Sequence, residues 1–511
     1  MTKRWYEEDD VTATPRGIAN FESFGQVNIG IPGTTPLVQI DELDISGESF
    51  DLFVTGGRTE FTGTLTLRND GRFVLLAGDQ LADLNPGASD VVISGTNSSV
   101  VFDLATGVDP ASVDGNFDFE AARFAAQTQV GNLAFEINSP TTIDTVDGLP
   151  GASAAQGGDI TLDTQDLTIA APVQTTSAGN ISINATGNVI QNQSITSNSG
   201  NITLRATGGI NGTASANVQT SSGAVTLEGN SDNLGGGPIN YSGTINHGTG
   251  GTTVVANDNS TIDGIVVGAA GFTKNGDGSL TLSGGNLFAG ETTIAAGVIN
   301  ATNTAALGTA AGGTTVADGA ALLIDGVSIA DDVTISGTGV NVSGINAALA
   351  GAGTASLDGN LILANDAQIN AAFRSGATIF TINGAITEAG GSRSLTLRSS
   401  VGGGESIVLT NPLNSWTGTT NVVNNTLILG NDEVIPDVSD VTVSSTLRLH
   451  GQSETINALS GSGTITDLVG GNSTLIVGSN NGEADFTGSA QDGTSTVNLT
   501  KTGTGSQTLS G

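Results

Sequence analysis

The chain has 511 residues, of which 75 are Gly and 11 Pro, with no Cys and a formal net charge of -35. Its 14 Lys and Arg against 49 Asp and Glu exclude the cationic surface that binding to nucleic acid or an anionic membrane demands. The absence of Cys excludes disulfides, Cys-based zinc sites and iron–sulfur clusters.

Residues 1–24 are charged and aperiodic and read as a flexible N-terminal tail. Lys3 and Arg4 are followed by Glu7, Glu8, Asp9 and Asp10, where a signal peptide needs an apolar segment, so no export signal is recognised. No apolar run approaches the roughly 18 residues of a membrane-spanning helix. Residues 25–156 form a β-rich region, expected to be irregular coils or a cap, in which turn signals such as Asn69-Asp70-Gly71 and Asn85-Pro86-Gly87 separate short strands. Within it, residues 119–130 suit a short helix or strand equally, since Glu120, Ala121 and Ala122 favour a helix.

The pattern sharpens over residues 157–230. Gly158-Asp159-Ile160-Thr161-Leu162, Gly179-Asn180-Ile181-Ser182-Ile183, Gly200-Asn201-Ile202-Thr203-Leu204 and Gly223-Ala224-Val225-Thr226-Leu227 repeat one unit, their glycines 21, 21 and 23 residues apart. Each unit places two apolar side chains on one strand face and a polar one on the other. One coil cannot bury that face alone. Coils stacked at about 4.8 Å can, because equivalent strands then form parallel sheets with Ile and Leu aligned inside. Gly and Asn at the corners tolerate the positive φ of sharp turns, and the Asn amides are expected to stack along the coils. From 231 to 511 the period loosens while the same short strands continue. The predicted fold is all-β, a right-handed parallel β-helix, or β-solenoid.

Candidate chemistry is sparse. Enzymatic β-helices cluster acids on one outer face, and three groups qualify by proximity in sequence: Asp41, Glu42 and Asp44; Asp331 and Asp332; and Asp432, Glu433, Asp437 and Asp440. Forty-nine acids on a solvated surface produce such groups by chance, and two Trp and two Tyr in the whole chain offer little platform for sugar. His247 and His450 lie too far apart to form a recognisable metal-ligand motif and are read as structural or solvent-facing. Asn257, Asp258, Asn259, Asp277, Asn431 and Asp432 supply oxygen atoms for weak calcium binding, without matching an EF-hand or calcium nonapeptide. Trp416 fits a place inside a coil better than an exposed anchor. No catalytic, cofactor-binding or metal-ligating residue is assigned, and no cofactor is expected.

Thr273-Lys274-Asn275-Gly276-Asp277-Gly278-Ser279-Leu280-Thr281-Leu282-Ser283-Gly284 recurs as Thr500-Lys501-Thr502-Gly503-Thr504-Gly505-Ser506-Gln507-Thr508-Leu509-Ser510-Gly511. The first copy continues through Asn286, Phe288, Gly290, Thr292 and Thr293. This resembles the autotransporter-associated β-strand repeat of bacterial passenger domains, with Leu287-Phe288-Ala289-Gly290-Glu291 in place of the usual Tyr-Thr-Gly-Gly. Residues 157–230 resemble the coils of filamentous-haemagglutinin-type adhesins.

The resemblance implies a non-catalytic, secreted or cell-surface passenger associated with the bacterial outer membrane: an extended rod for adhesion or aggregation. Its implied partner is an unidentified glycan or protein on a host or neighbouring cell, with lateral self-association also open, no nucleic acid and no membrane insertion by this chain. The family's translocator barrel is not recognised, and the stop at Leu509-Ser510-Gly511, in mid-repeat, reads as a truncation. Two other functions remain open: a polysaccharide-acting β-helix lyase or hydrolase, and an acidic extracellular matrix or surface-layer protein.

Overall fold

The computed structural model describes residue 149 onward apart from 235, 343–344, 373–377 and 400–403; before that it describes backbone strands from Ala19–Phe21 and the side chains of a few residues between 133 and 145. The chain divides into two compact units, 1–270 and 271–511. Both are parallel β-solenoids of the right-handed kind. Phe117–Glu120 and Arg123–Thr128 are strands, so the described residues of the stretch 119–130 are strand. Thr and Phe within this stretch suit a pleated surface.

In the first unit each regular coil carries three strands. Ile160, Ile181, Ile202, Val225 and Thr252 occupy one register position in successive coils, and Leu162, Ile183, Leu204, Leu227 and Val254 another. A second column runs Leu167, Val189, Ile210 and Ile239. The third runs Val173, Ile195, Val218, Ile245 and Val266. Burial alternates along the strands of these regular coils, as in Ile160–Thr164, so the apolar half of each faces the interior. Each fully buried Ile, Leu or Val contributes about 1.5–3 kcal/mol of transfer free energy, and every coil repeats the set.

The corners explain the glycines. A Cβ on Gly179 would lie 1.9 Å from the carbonyl oxygen of Gly158, one on Gly200 2.1 Å from that of Gly179, and one on Gly223 1.9 Å from that of Gly200. Any side chain here would force successive coils apart. The polar groups of the same corner are met by buried hydroxyls. Ser197 Oγ donates to the Gly179 carbonyl at 2.8 Å and accepts the Gly200 N–H at 2.8 Å, and Thr220 does the same for Gly200 and Gly223.

The expected Asn stacking is present, and it acts on the backbone. Asp159 Oδ1 accepts the N–H of Asn180 at 2.6 Å, Asn180 Oδ1 that of Asn201 at 2.9 Å, and Asn201 Oδ1 that of Ala224 at 2.8 Å. A second ladder links Asp166, Asn188 and Gly209. Asp stands at the base of each ladder. The amide above donates to the residue below, so the lowest described member needs only to accept.

The second unit has less regular coils, with equivalent residues 19 apart from Thr314 to Val333 and 28 apart from Val333 to Leu361. One of its sheets has eight strands, from Ser328–Ile329 to Ser489–Gln491. The strands Val298–Ala301, Ala321–Asp325 and Leu349–Ala352 are buried on both faces, because the antiparallel pair Val340–Val342 and Ile345–Ala347 folds over them. There Ile345 and Val340 pack on Val298, Ala321, Leu323, Ala350 and Ala352. Those outward positions are apolar and, at Ala321, Ala350 and Ala352, small, which lets the covering hairpin approach closely.

Gly200→Ala is expected to cost roughly 1–3 kcal/mol by overpacking. Gly285→Ala, where a Cβ meets open space, is expected to change stability by less than about 0.5 kcal/mol. Urea unfolding of both variants checks the pair.

Candidate functional site

The acids singled out by sequence whose side chains are described are bonded to different partners. Asp331 is buried, and Thr314 donates to its Oδ2 at 3.0 Å, whereas the adjacent Asp332 is exposed and accepts the N–H of Asn360 at 2.7 Å. Neighbouring residues on a corner point in opposite directions, so the pair is split between core and ladder. Asp432 accepts the N–H of Ser453 at 2.7 Å, and Glu433 accepts both the N–H and the hydroxyl of Thr455 at 3.0 Å. Asp440 takes the Asn457 amide at 2.7 Å. The side chains of Asp41, Glu42 and Asp44 lie outside the described residues.

A carboxylate that sequence did not single out lies beneath the second group. Glu454 is fully buried, and its two oxygens accept the N–H groups of Val434 and Ile435 at 3.0 and 3.1 Å. Burial pushes its pKa up to about 9 against those hydrogen bonds, with Glu433 and Asp437 adding repulsion. Burial likewise raises Asp331 to about 6, opposed by Thr314 and aided by Asp332.

His247 is structural. It occupies the register position of Thr175, Ser197 and Thr220, the corner hydroxyls of the preceding coils. Its Nε2 faces the Ala270 carbonyl at 3.1 Å, which can only accept, so Nε2 carries the proton and Nδ1 accepts from the Thr252 hydroxyl at 2.7 Å. Burial lowers its pKa, in keeping with the neutral ring. His450 lies in the turn that follows the strand Thr446–Arg448, at φ 59°, and within electrostatic reach of Asp467.

Of the oxygen atoms proposed for calcium, those of Asp258, Asn431 and Asp432 accept hydrogen bonds from the protein. Asp258 Oδ2 accepts from Gly236 N at 2.9 Å, Gly237 N at 2.7 Å and the Asn230 amide at 3.0 Å, and Asn257 donates to the Asn230 carbonyl. Among the described residues no group of three or more His, Asp or Glu is placed to hold a metal ion, and no helix is long and apolar enough to cross a membrane.

The most specific local arrangement is a corner built on an aromatic. Phe288 is fully buried and stacks on Phe272, ring centroids 5.8 Å apart. Asn286 donates its amide to the Ala306 carbonyl at 2.6 Å, and Thr292 its hydroxyl to the Leu307 carbonyl at 2.9 Å. The spacing Asn-x-aromatic-x-Gly-x-Thr returns at Asn414, Trp416, Gly418 and Thr420. Trp416 is fully buried and donates Nε1–H to Thr420 at 3.0 Å, as a place inside the coil requires. Asn414 donates to the Val434 carbonyl at 2.7 Å, twenty residues on, the same separation as Asn286 to Ala306. In both copies the carbonyl belongs to a buried apolar pair, Ala306-Leu307 or Val434-Ile435, that closes the corner. Phe486-Thr487-Gly488 repeats the aromatic and glycine, again with the ring buried.

Lys274 completes the first copy. Its Nζ is buried and donates to the carbonyls of Asn275 and Gly276, both at 2.7 Å, and of Ala296 in the next coil at 3.3 Å. Burial lowers its pKa to about 8, with Asp277 opposing. Lys501, at the same place in the later motif, donates to Thr502 and Gly503 carbonyls.

This corner coincides with a match to a known family. The model described as Passenger-associated-transport-repeat matches residues 272–301, from the strand Phe272–Asn275 to the strand Val298–Ala301. No curated protein and no solved structure matches the chain significantly. The matched repeat and the parallel solenoid together support a likeness to autotransporter-passenger repeat proteins.

Trp416→Ala is expected to cost about 3–5 kcal/mol and Trp416→Phe under about 1.5 kcal/mol, since two equivalent corners use Phe. Thermal unfolding monitored by circular dichroism checks both. A raised carboxyl pKa favours the protonated fold, so the stability Glu454 contributes is complete below its ordinary value of 4.5 and lost as pH rises toward 9. The urea midpoint is therefore expected to fall between pH 5 and 9, and more shallowly in Glu454→Gln.

Proposed function

We propose that the chain is a non-catalytic passenger segment, displayed at or released from a bacterial cell surface, whose work is adhesion or aggregation. The observation that carries this reading is the passenger-type repeat at residues 272–301, seated within a parallel solenoid. The arrangement of the acids supports the non-catalytic part. The carboxylates with described partners are engaged by backbone N–H groups, hydroxyls and amides of adjoining coils, which serves stacking rather than proton transfer to a bound substrate. The partner in this reading is a surface glycan or protein.

Beads coated with the purified chain are expected to adhere to cells or to one another more than beads coated with an unrelated protein of equal charge. The same preparation is expected to release no reducing or unsaturated ends from a panel of polysaccharides. Sugar release that disappears on substituting Asp332 or Asp432 would overturn the non-catalytic reading, and uncoated and coated beads behaving alike would overturn the adhesive one.

A further inference from the structure

Four Asn-Gly steps occur in the chain, at Asn211, Asn275, Asn383 and Asn481. Each is a reactive pair in principle, because the amide nitrogen of a following Gly, with no side chain in the way, can attack the Asn side-chain carbonyl carbon. The fold ties down three of them. Asn211 and Gly212 lie within the strand Ile210–Gly212, where Asn240 donates to Asn211 Oδ1 at 3.3 Å and the Tyr241 ring fills the space a Cβ on Gly212 would need. Asn383 donates its amide to Asp358 at 2.6 Å and accepts the Thr410 hydroxyl at 3.0 Å, while Gly384 N–H donates to the Leu357 carbonyl. Asn481 Oδ1 accepts from the N–H and the hydroxyl of Thr504 at 2.8 and 2.9 Å, and Gly482 N–H donates to Asn457 Oδ1 at 2.9 Å.

Asn275 is placed differently. It ends the strand Phe272–Asn275, half-buried, and its side chain makes no hydrogen bond among the described residues. Gly276 N–H, the attacking group, meets no acceptor among them either, and the chain turns there at φ 80°. The peptide group between the two is gripped by Lys274, whose buried Nζ donates to the Asn275 carbonyl oxygen at 2.7 Å and to that of Gly276 at 2.7 Å. A cationic donor on an amide oxygen withdraws electrons from the amide nitrogen and stabilises the anion left when its N–H gives up a proton. Lys274 therefore favours the deprotonation that attack by Gly276 requires.

We propose that Asn275-Gly276 is a self-modification site, at which the chain converts Asn275 to aspartate and isoaspartate. Gly276 N loses its proton to water and attacks Asn275 Cγ; the Cγ–Nδ2 bond then breaks, and Nδ2 leaves as ammonia with a proton returned from water. The five-membered imide so formed takes up one water. Opening at Cγ gives aspartate, and opening at the Asn275 backbone carbonyl gives isoaspartate, so water is the one co-reactant. Either product puts a carboxylate on the residue next to Lys274. The second also lengthens the backbone by one methylene, at a corner that Lys274 ties to the Ala296 carbonyl of the next coil. The later motif repeats the grip without the reactive group: Lys501 donates to the Thr502 and Gly503 carbonyls, with Gly503 at φ 64°, but Thr502 has no side-chain amide to attack. The grip itself thus belongs to the fold, and the chemistry is particular to residue 275. This inference rests on the corner alone and is independent of the passenger reading.

Incubation of the folded full chain at neutral pH, with digestion at intervals and peptide mass spectrometry, tests it. Asn275 is expected to convert about tenfold faster than Asn211, Asn383 or Asn481, with isoaspartate among its products. The rate at Asn275 is expected to rise with pH and then flatten above about 8, where Lys274, lowered by burial against the opposing charge of Asp277, loses its proton. In the urea-unfolded chain the rate at the same residue is expected to keep rising. Lys274→Met is expected to slow conversion about tenfold when circular dichroism shows the fold retained; if that variant unfolds, the pH profile of the unaltered chain decides. Conversion of Asn275 no faster than of the other three, or a rate in the folded chain that climbs in step with hydroxide beyond pH 8, would overturn the proposal.

Discussion

The structure depends on the close approach of one coil to the next. Strand spacing is set by backbone hydrogen bonds, and the corners must turn within that same distance, so the chain there is squeezed until no Cβ fits between Gly158, Gly179, Gly200 and Gly223. A corner that tight leaves N–H and carbonyl groups outside the strand ladder, and buried polar groups must find partners. The hydroxyls of Ser197 and Thr220, the ring of His247 and the Asn and Asp ladders all answer that one need. Much of the polar composition is therefore structural in its action.

The same requirement accounts for the fate of the acids. In a solvated chain an Asp beside an Asp looks like a pair available for chemistry. In a coil the two point in different directions, and each meets donors of its own, as Asp331 does with Thr314 and Asp332 with Asn360. Glu454 lies deeper still, where it meets the N–H groups of the apolar pair that closes the Trp416 corner.

Sequence reasoning reached the fold because the apolar alternation and the spacing of glycines at 158, 179, 200 and 223 are direct imprints of a stacked register. It reached the first aromatic corner because Lys274, Asn286 and Phe288 stand in a familiar order. It treated Trp416 as an isolated aromatic, although Asn414, Gly418 and Thr420 carry the same spacing; a change of ring type and of the intervening residues hid the repeat. Glu454 was not legible at all, because nothing local marks a glutamate whose donors lie twenty residues earlier. The hairpin over Ala321 and Leu323 was equally hidden, since apolar residues on both faces of a strand do not say what covers the second face.

The ladders have a direction. In each, the earlier coil supplies the oxygen and the later coil the N–H, from Asp159 through Asn180 and Asn201 to Ala224. The corner side chains of one coil thus hold out fixed acceptors to the coil after it, while its strand N–H groups, such as those of Ile160 and Ile181, donate to the carbonyls of Asn180 and Asn201 in that later coil. Neighbouring coils therefore complete each other in both senses, and a coil left at an open end keeps donors as well as acceptors that only a further coil can meet.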